Sequence, residues 1–262
     1  MENQSAHPLL SVKNLIVEYP PHSFFGRVKP VSRRAVDQVS FEVVKGETLA
    51  LVGESGSGKT SITMAILGFV TPTGGKMEFD GVELNEMTIA KFRSRIQPIF
   101  QDAGAALNPQ MKIGRAIGDG FPPGLPADQK RIRALELMKN AGLAENYYDA
   151  YPRQLSGGQK QRVCLARALA VGAGMLILDE PFSAQDISIQ VQLMHLLRDL
   201  KAALGLTLLL ISHDLTTVRL LADRILVMRA GKIIESGTIA DIISRPQTDY
   251  ARELIRQAGI KP

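Results

Sequence analysis

Eight consecutive residues, Gly53-Glu54-Ser55-Gly56-Ser57-Gly58-Lys59-Thr60, have the spacing of a phosphate-binding loop, with four residues between the first glycine and Gly58-Lys59-Thr60. Small side chains let successive backbone N–H groups converge on phosphate oxygens, and the helix that follows turns its positive end towards them. In such a loop Lys59 reaches the β- and γ-phosphates and the Thr60 hydroxyl ligates Mg²⁺. Ser61, the next residue, joins the phosphate-binding candidates. The plain alternative is a Gly/Ser turn between a strand and a helix. On average composition a chance match is on the order of one per cent, which favours the phosphate loop.

Two further groups carry chemistry. The apolar run 175–178 ends in Asp179-Glu180. Alternating strand side chains would send these carboxylates to opposite sides, one to the Mg²⁺ shell and one to an attacking water. Helix caps or solvated loops are the ordinary reading of such a pair, and the upstream phosphate loop tips the balance towards function. Leu155-Ser156-Gly157-Gly158-Gln159 opens a helix-like run over 161–170, again with bare backbone donors at a helix start. A simple N-cap turn would explain Ser156 but not both glycines followed by Gln159. One chain thus carries two half-sites for phosphate.

These groups need an α/β scaffold. Strand-like alternation covers 9–19 and 35–44, where Val39, Phe41 and Val43 interleave with Ser40 and Glu42. A Pro- and Arg-rich loop, 20–34, separates them. The short apolar runs 48–52, 175–178 and 206–211 suit strands buried on both faces of a parallel sheet. Helical texture follows at 59–69 and 128–140, with Gly142 placed to cap the latter. Ile187, Val191, Met194 and Leu197 give one apolar helix face. Ala230-Gly231 reads as a hairpin turn between 225–228 and 232–235.

Composition narrows the field. The chain has 262 residues, 45% hydrophobic and 22% charged, with a net charge of +5. Wholesale disorder is excluded, and no apolar run approaches the ~20 residues of a membrane-spanning helix. Residues 1–8 lack the apolar core of a signal peptide. One cysteine supplies neither a disulfide nor a zinc cluster. With no Trp and 5% aromatics, a base-stacking surface is disfavoured, so nucleic acid is not an expected partner. The chain reads as soluble and intracellular. Cys164 reads as a small core residue, His195 as structural or solvated, and Arg27, Lys29, Arg33 and Arg34 as a solvated loop.

The combination resembles the ATP-binding subunit of an ABC transporter over residues 9–243. Gly53–Thr60 matches the Walker A loop, 175–180 the Walker B strand, and 155–159 the signature. Phe100-Gln101-Asp102 matches the Q-loop and Ile211-Ser212-His213-Asp214 the switch histidine. Leu107-Asn108-Pro109, Tyr151-Pro152 and Asp249-Tyr250 are similar to the oligopeptide, dipeptide and nickel importer group.

The resemblance implies a P-loop NTPase fold of the ABC ATPase type: a RecA-like core, an antiparallel β-subdomain and a helical signature subdomain. The last would be an insertion at about 101–165 within a domain 1–243, followed by a short tail, 244–262. It implies ATP and Mg²⁺ as cofactors, with Thr60, Gln101 and Asp179 around the metal. Glu180 would polarise the attacking water, with Gln101 and His213 as the other catalytic residues. Tyr19 would stack on adenine, with Phe24 and Phe25 as competitors for that role. Ser156, Gly157, Gly158 and Gln159 would face the ATP held by a second ATPase subunit.

Gln185 stands where the family usually has Leu, which favours a related partner over an identical copy; Asp102 lacks the usual following proline. Transmembrane permease subunits and, indirectly, an extracytoplasmic solute-binding protein are implied, with this chain peripheral at the cytoplasmic face of the inner membrane. A soluble, DNA-related or regulatory ABC ATPase is the competing class. No long heptad insertion separates the Walker motifs, as a chromosome ATPase would need.

Overall fold

The computed structural model describes residues 7–20, 33–183 and 186–260. The chain runs through β1 (Leu10–Tyr19), β2 (Arg33–Val43), β3 (Thr48–Val52), α1 (Lys59–Ile66), β4 (Gly74–Phe79), β5 (Val82–Glu83) and α2 (Ile89–Phe92). Next come β6 (Ile96–Ile99), α3 (Ile113–Gly118), α4 (Ala127–Asn140), α5 (Gly157–Ala170), β7 (Met175–Asp179) and α6 (Ile187–Leu204). Then follow β8 (Thr207–Ser212), α7 (Leu215–Leu221), β9 (Arg224–Arg229), β10 (Lys232–Thr238), α8 (Ile239–Ser244) and α9 (Asp249–Gln257). Two compact units result, Met1–Arg93 with Leu209–Pro262 and Ser94–Leu208, so the boundary falls within β8.

In the first unit β2-β1-β4-β5 form an antiparallel sheet. Alternation builds its inner face: Leu10, Val12, Leu15 and Val17 of β1 and Val39, Phe41 and Val43 of β2 are buried. Asn14, at φ 50°, sits where the β1–β2 register shifts, and its N–H donates to Ser40 Oγ at 2.8 Å. Asn tolerates the left-handed region, so the strand bends there and its apolar residues return to the core side.

The same unit holds strands in the order β10-β9-β3, then β8, with β3 parallel to β9. All five residues of β3 are buried, as a parallel strand covered on both faces requires. The β9–β10 turn has both central residues at positive φ, Ala230 at 47° and Gly231 at 82°, the geometry that matches strand twist in a tight hairpin. Helix α1 stops at Ile66, short of the expected residue 69. Gly68 adopts φ 73°, and the Phe69 N–H returns to the Met64 carbonyl at 2.8 Å, closing the last turn.

In the second unit β6 and β7 pair in parallel from Ile96↔Met175 to Ile99↔Leu178. Helix α4 ends at Asn140 and is closed by Gly142 just beyond, at φ 68°, with the Leu143 N–H bonded to the Met138 carbonyl at 2.8 Å. Arg162 of α5 donates to the Ala141 carbonyl at 3.1 Å and so ties these two helices together. Helix α6 departs from the expected apolar face: Met194 and Leu197 are buried with Leu193 and Leu200, whereas Ile187 and Val191 are exposed. The buried residues of α6 begin at Leu193, so periodicity alone overstates the buried stripe.

Residues 244–257, read in sequence as part of a tail, include α9, whose Tyr250, Ala251 and Ile255 are buried. The start of α9 is seated by Glu235 of β10. Its carboxylate accepts the Gln247 N–H at 2.7 Å, the Thr248 N–H at 2.9 Å and the Thr248 hydroxyl at 2.6 Å. Burial pushes the Glu235 carboxyl up, and these three hydrogen bonds together with the positive charge of Arg252 outweigh it, leaving the group below its ordinary value. A lowered folded value means that this contribution is full above the ordinary glutamate range and is lost as pH falls through the depressed value. The protection factors of the Thr248 and Ala251 amides, taken against the intrinsic exchange rate at each pH, are therefore expected to fall on acidification. An unchanged exchange rate in a Glu235→Gln variant at neutral pH would count against this seat.

Among the described residues no helix is long and apolar enough to cross a membrane.

Candidate functional site

In the first unit the loop between β3 and α1 is shaped by close backbone packing. Gly53 lies at φ 155°, and a Cβ there would fall 2.1 Å from the Met228 carbonyl oxygen. Gly58 lies at φ 109°, with the Ala35 carbonyl oxygen 2.2 Å from the corresponding point. At both positions any side chain would meet backbone that has nowhere to move. The Ser57 carbonyl accepts the Gly231 N–H at 2.9 Å, which pins the loop to the β9–β10 turn.

Lys59 opens α1 and is 6% exposed. Its Nζ donates to the Gly53 carbonyl at 2.7 Å and the Glu54 carbonyl at 2.9 Å, curling the ammonium back over the loop. A buried ammonium needs such partners, and a loop that already holds it presents a positive charge among its N–H groups. Glu54, Ser55, Gly56 and Thr60 are exposed, while Ser57 is buried. Tyr19, at the end of β1, donates its hydroxyl to Ser61 Oγ at 3.2 Å, so the residue expected against adenine stands beside the loop helix. Its competitors Phe24 and Phe25 lie outside the described residues. His213 follows β8 and is exposed; Asp214 caps α7 by accepting the Thr216 N–H at 2.8 Å.

The second unit carries Gln101, Ser156–Gln159, Asp179 and Glu180. Gln101 is exposed just past β6. In the absence of the usual proline, the Asp102 carboxylate shapes the loop by accepting the Gly104 N–H at 2.8 Å and the Ala105 N–H at 3.1 Å. Helix α5 holds this loop, with Cys164 Sγ donating to the Ala103 carbonyl at 3.7 Å and Arg167 to the Ala106 carbonyl at 2.7 Å. Cys164 is buried, as expected of a core residue, and burial pushes its thiol up. His195 is exposed.

Helix α5 starts at Gly157, four residues earlier than the apolar run suggests. Ser156 Oγ accepts the Gln159 N–H at 3.3 Å, and Gln159 Oε1 accepts the Ser156 N–H at 2.9 Å, a reciprocal capping box. The Gln159 amide also donates to the Tyr147 hydroxyl at 2.9 Å. The capping box therefore accounts for Gln159, which a simple cap does not, as well as for Ser156. It does not account for Gly157: among the described residues, no atom outside its own helical turn comes within 4 Å of where its Cβ would lie.

Strand β7 ends at Asp179. Glu180 lies past it at φ 49°, a left-handed conformation that costs a side chain about 1–3 kcal/mol unless its surroundings impose it. The pleat therefore does not set the direction of Glu180, as expected from alternation; the turn does. That turn is held from several sides. The Glu180 carbonyl accepts the Ser183 hydroxyl at 2.8 Å, Gln190 donates to the Phe182 carbonyl at 2.8 Å, and the buried Gln161 amide donates to the Pro181 carbonyl. Gln161 and Gln190 belong to no motif; the one available signal is Gln161 lying among the buried residues of α5. Helix α5 thus touches both the loop after Gln101 and the loop after Glu180.

The chain matches the family model described as ABC transporter over residues 36–183. It belongs to the ABC transporter family. The cassette is 40% identical to a protein of Brucella ovis provisionally named a peptide import ATP-binding protein, over 95% of this chain and 78% of the relative. It is 39% identical to the dipeptide transport ATP-binding protein DppF of Haemophilus influenzae, over 95% of this chain and 77% of the relative. Among solved structures, the dimeric ATP-binding cassette MJ0796 in a post-hydrolysis state with ADP and Pi superposes with a TM-score of 0.76 at 28% identity, covering 88% of this chain and 98% of that one. The CbiO1 component of the cbiONQ transporter complex of Clostridium perfringens does so with a TM-score of 0.79 at 27% identity, over 96% and 94%. The cassette is an ABC ATPase with the mixed α/β fold of that family.

Proposed function

We propose that the cassette hydrolyses ATP to drive a membrane importer for peptides, nickel chelates or related small solutes. Relatives named for peptide and dipeptide transport carry this reading, because they match 95% of the chain rather than its nucleotide-binding motifs alone. The cassette would sit peripherally at the cytoplasmic face of the inner membrane, bound to permease subunits, with a solute-binding protein delivering the cargo.

In this reading the N–H groups of Gly53–Ser61 and the Lys59 ammonium bind the phosphates, and Tyr19 stacks on adenine. Glu180 orients and polarises the water, His213 contacts the γ-phosphate, and Gln101 completes the metal and water shell. Thr60, Gln101 and Asp179 are oxygen donors of the kind Mg²⁺ accepts when phosphate oxygens and water complete its octahedron. Bound Mg²⁺ would neutralise charge on the β- and γ-phosphates. The domain division follows the same resemblance, with residues 101–165 as the signature subdomain.

The open space before Gly157 supports a role for Ser156–Gln159 outside this chain. Glycine costs about 1 kcal/mol relative to alanine inside a helix and less at its first residue, and among the described residues no packing outside its own turn requires it at 157. Backbone approached by the nucleotide of a second cassette would require it. Gly157→Ala is thus expected to keep or raise the thermal midpoint while weakening ATP-dependent pairing of cassettes in gel filtration. Full pairing in that variant would remove Gly157 from the interface. Gln185, which favours a related partner over an identical one, lies outside the described residues.

The deciding experiment is a mild-detergent pull-down of the tagged Glu180→Gln chain with ATP from its native membranes. Two permeases and a second, different cassette are the expected yield. Recovery of no membrane protein, with ATP binding intact, would assign the cassette to a soluble role instead.

A further inference from the structure

The Tyr250 hydroxyl lies 2.9 Å from the Glu54 backbone nitrogen and accepts its N–H, a contact between residues 196 apart in sequence. Tyr250 is 4% exposed, and Arg229 of β9 sits over its ring with the guanidinium carbon 4.8 Å from the centroid. The ring therefore has a fixed seat, from which its one polar atom meets the phosphate loop.

The residue it meets organises that loop. The Glu54 carbonyl accepts both the Lys59 ammonium at 2.9 Å and the Ser57 N–H at 3.1 Å. Anchoring the Glu54 N–H holds the Gly53–Glu54 peptide plane, and with it the Gly53 carbonyl to which Lys59 donates at 2.7 Å. Glu235 fixes the helix start that carries Tyr250 through Gln247 and Thr248, and Thr248 Oγ1 then caps α9 by accepting the Ala251 N–H at 3.2 Å. An unbroken chain of contacts runs from Glu235 through α9 and Tyr250 to Glu54 and Lys59.

We propose that Tyr250 is a positioning residue of the phosphate-binding loop, through which α9 sets the affinity of the cassette for nucleotide. The proposal rests on Gly53–Thr60 being the nucleotide loop. Its effect falls on binding rather than on the chemical step, because Tyr250 acts through the loop backbone and touches no group assigned to the attacking water. Phosphates common to ATP and ADP meet this loop, so both nucleotides are affected alike.

Tyr250→Phe keeps the ring, the buried volume and the Arg229 contact, and removes one hydroxyl. One hydrogen bond is worth a factor of about three to ten in such equilibria. The KM for ATP and the Kd for ADP are both expected to rise by that factor, with kcat held within about twofold, the signature of lost uniform binding. The thermal midpoint should move little. Glu235→Gln, which loosens the same seat, should raise KM in the same direction. The double variant should do no more than Tyr250→Phe alone, since both act through one contact.

Wild-type KM and Kd in Tyr250→Phe would overturn the proposal, whatever happens to the thermal midpoint, and so would a fall in kcat at unchanged KM. Lys59→Ala measured alongside separates the two levels. If that variant binds nucleotide normally, the loop assignment fails; if it loses binding, the Tyr250→Phe result judges the positioning role alone.

Discussion

Replacing Glu180 by Gln is expected to leave ATP binding near the wild-type level and to lower steady-state hydrolysis by about 10²–10⁴-fold, the usual contribution of a positioned acid–base group. The amide has the shape of the carboxylate but cannot accept a proton or polarise water to the same degree. The backbone geometry makes this a clean substitution. Glu180 is held at φ 49° by contacts to its own carbonyl and to the carbonyls of Pro181 and Phe182, none of which involves its side chain. The turn should therefore survive the exchange. Single-turnover hydrolysis with ATP binding measured in parallel provides the check, and undiminished hydrolysis would exclude Glu180 as the group acting on water.

Lys59→Ala is expected to act earlier in the cycle, weakening ATP and ADP binding by about 10²-fold or more, given ~1.5–3 kcal/mol for each hydrogen bond from a charged donor to phosphate. Lys59 is buried and donates to the Gly53 and Glu54 carbonyls, so its removal also takes one hydrogen bond from each of those acceptors. Some loss of thermal stability should accompany the loss of affinity, and calorimetric titration beside a thermal melt separates them. Lys59→Arg is not expected to rescue binding, because a planar guanidinium cannot occupy the seat of a compact ammonium between two carbonyls. Unchanged ATP affinity in Lys59→Ala would overturn the role assigned to this residue.

These variants separate binding from chemistry. Tyr250→Phe shifts affinity modestly through the loop, Lys59→Ala removes it, and Glu180→Gln stops turnover with nucleotide bound. An ATPase that closes on a partner cassette is expected to accumulate in its paired form only in the last case, where ATP binds and persists. That property makes Glu180→Gln the suitable bait for recovering membrane partners.

The amino-acid sequence alone determined what is local. The proposed phosphate loop is eight consecutive residues, Gly53–Thr60, whose chemistry would depend on residue type and spacing within a single turn. The alternation of Val39, Phe41 and Val43, the apolar run 48–52 and the Ala230-Gly231 turn likewise act through near neighbours, and each lies in the expected element. The mixed α/β fold follows from their order.

What tertiary structure decided is partnership between distant residues. The Tyr250 hydroxyl on Glu54, the Gln161 amide on Pro181 and the Gly231 N–H on Ser57 join residues that no short motif contains. The left-handed turn at Glu180 is sustained by such contacts, so strand periodicity could not predict it. Ile187 and Val191 repeat at helical spacing yet are exposed, because burial depends on what packs against a helix and not on its own periodicity. Residue types set the chemistry available to this chain; the long-range hydrogen bonds, each formed only once the chain has folded, set the geometry in which the loop and the Glu180 turn present it.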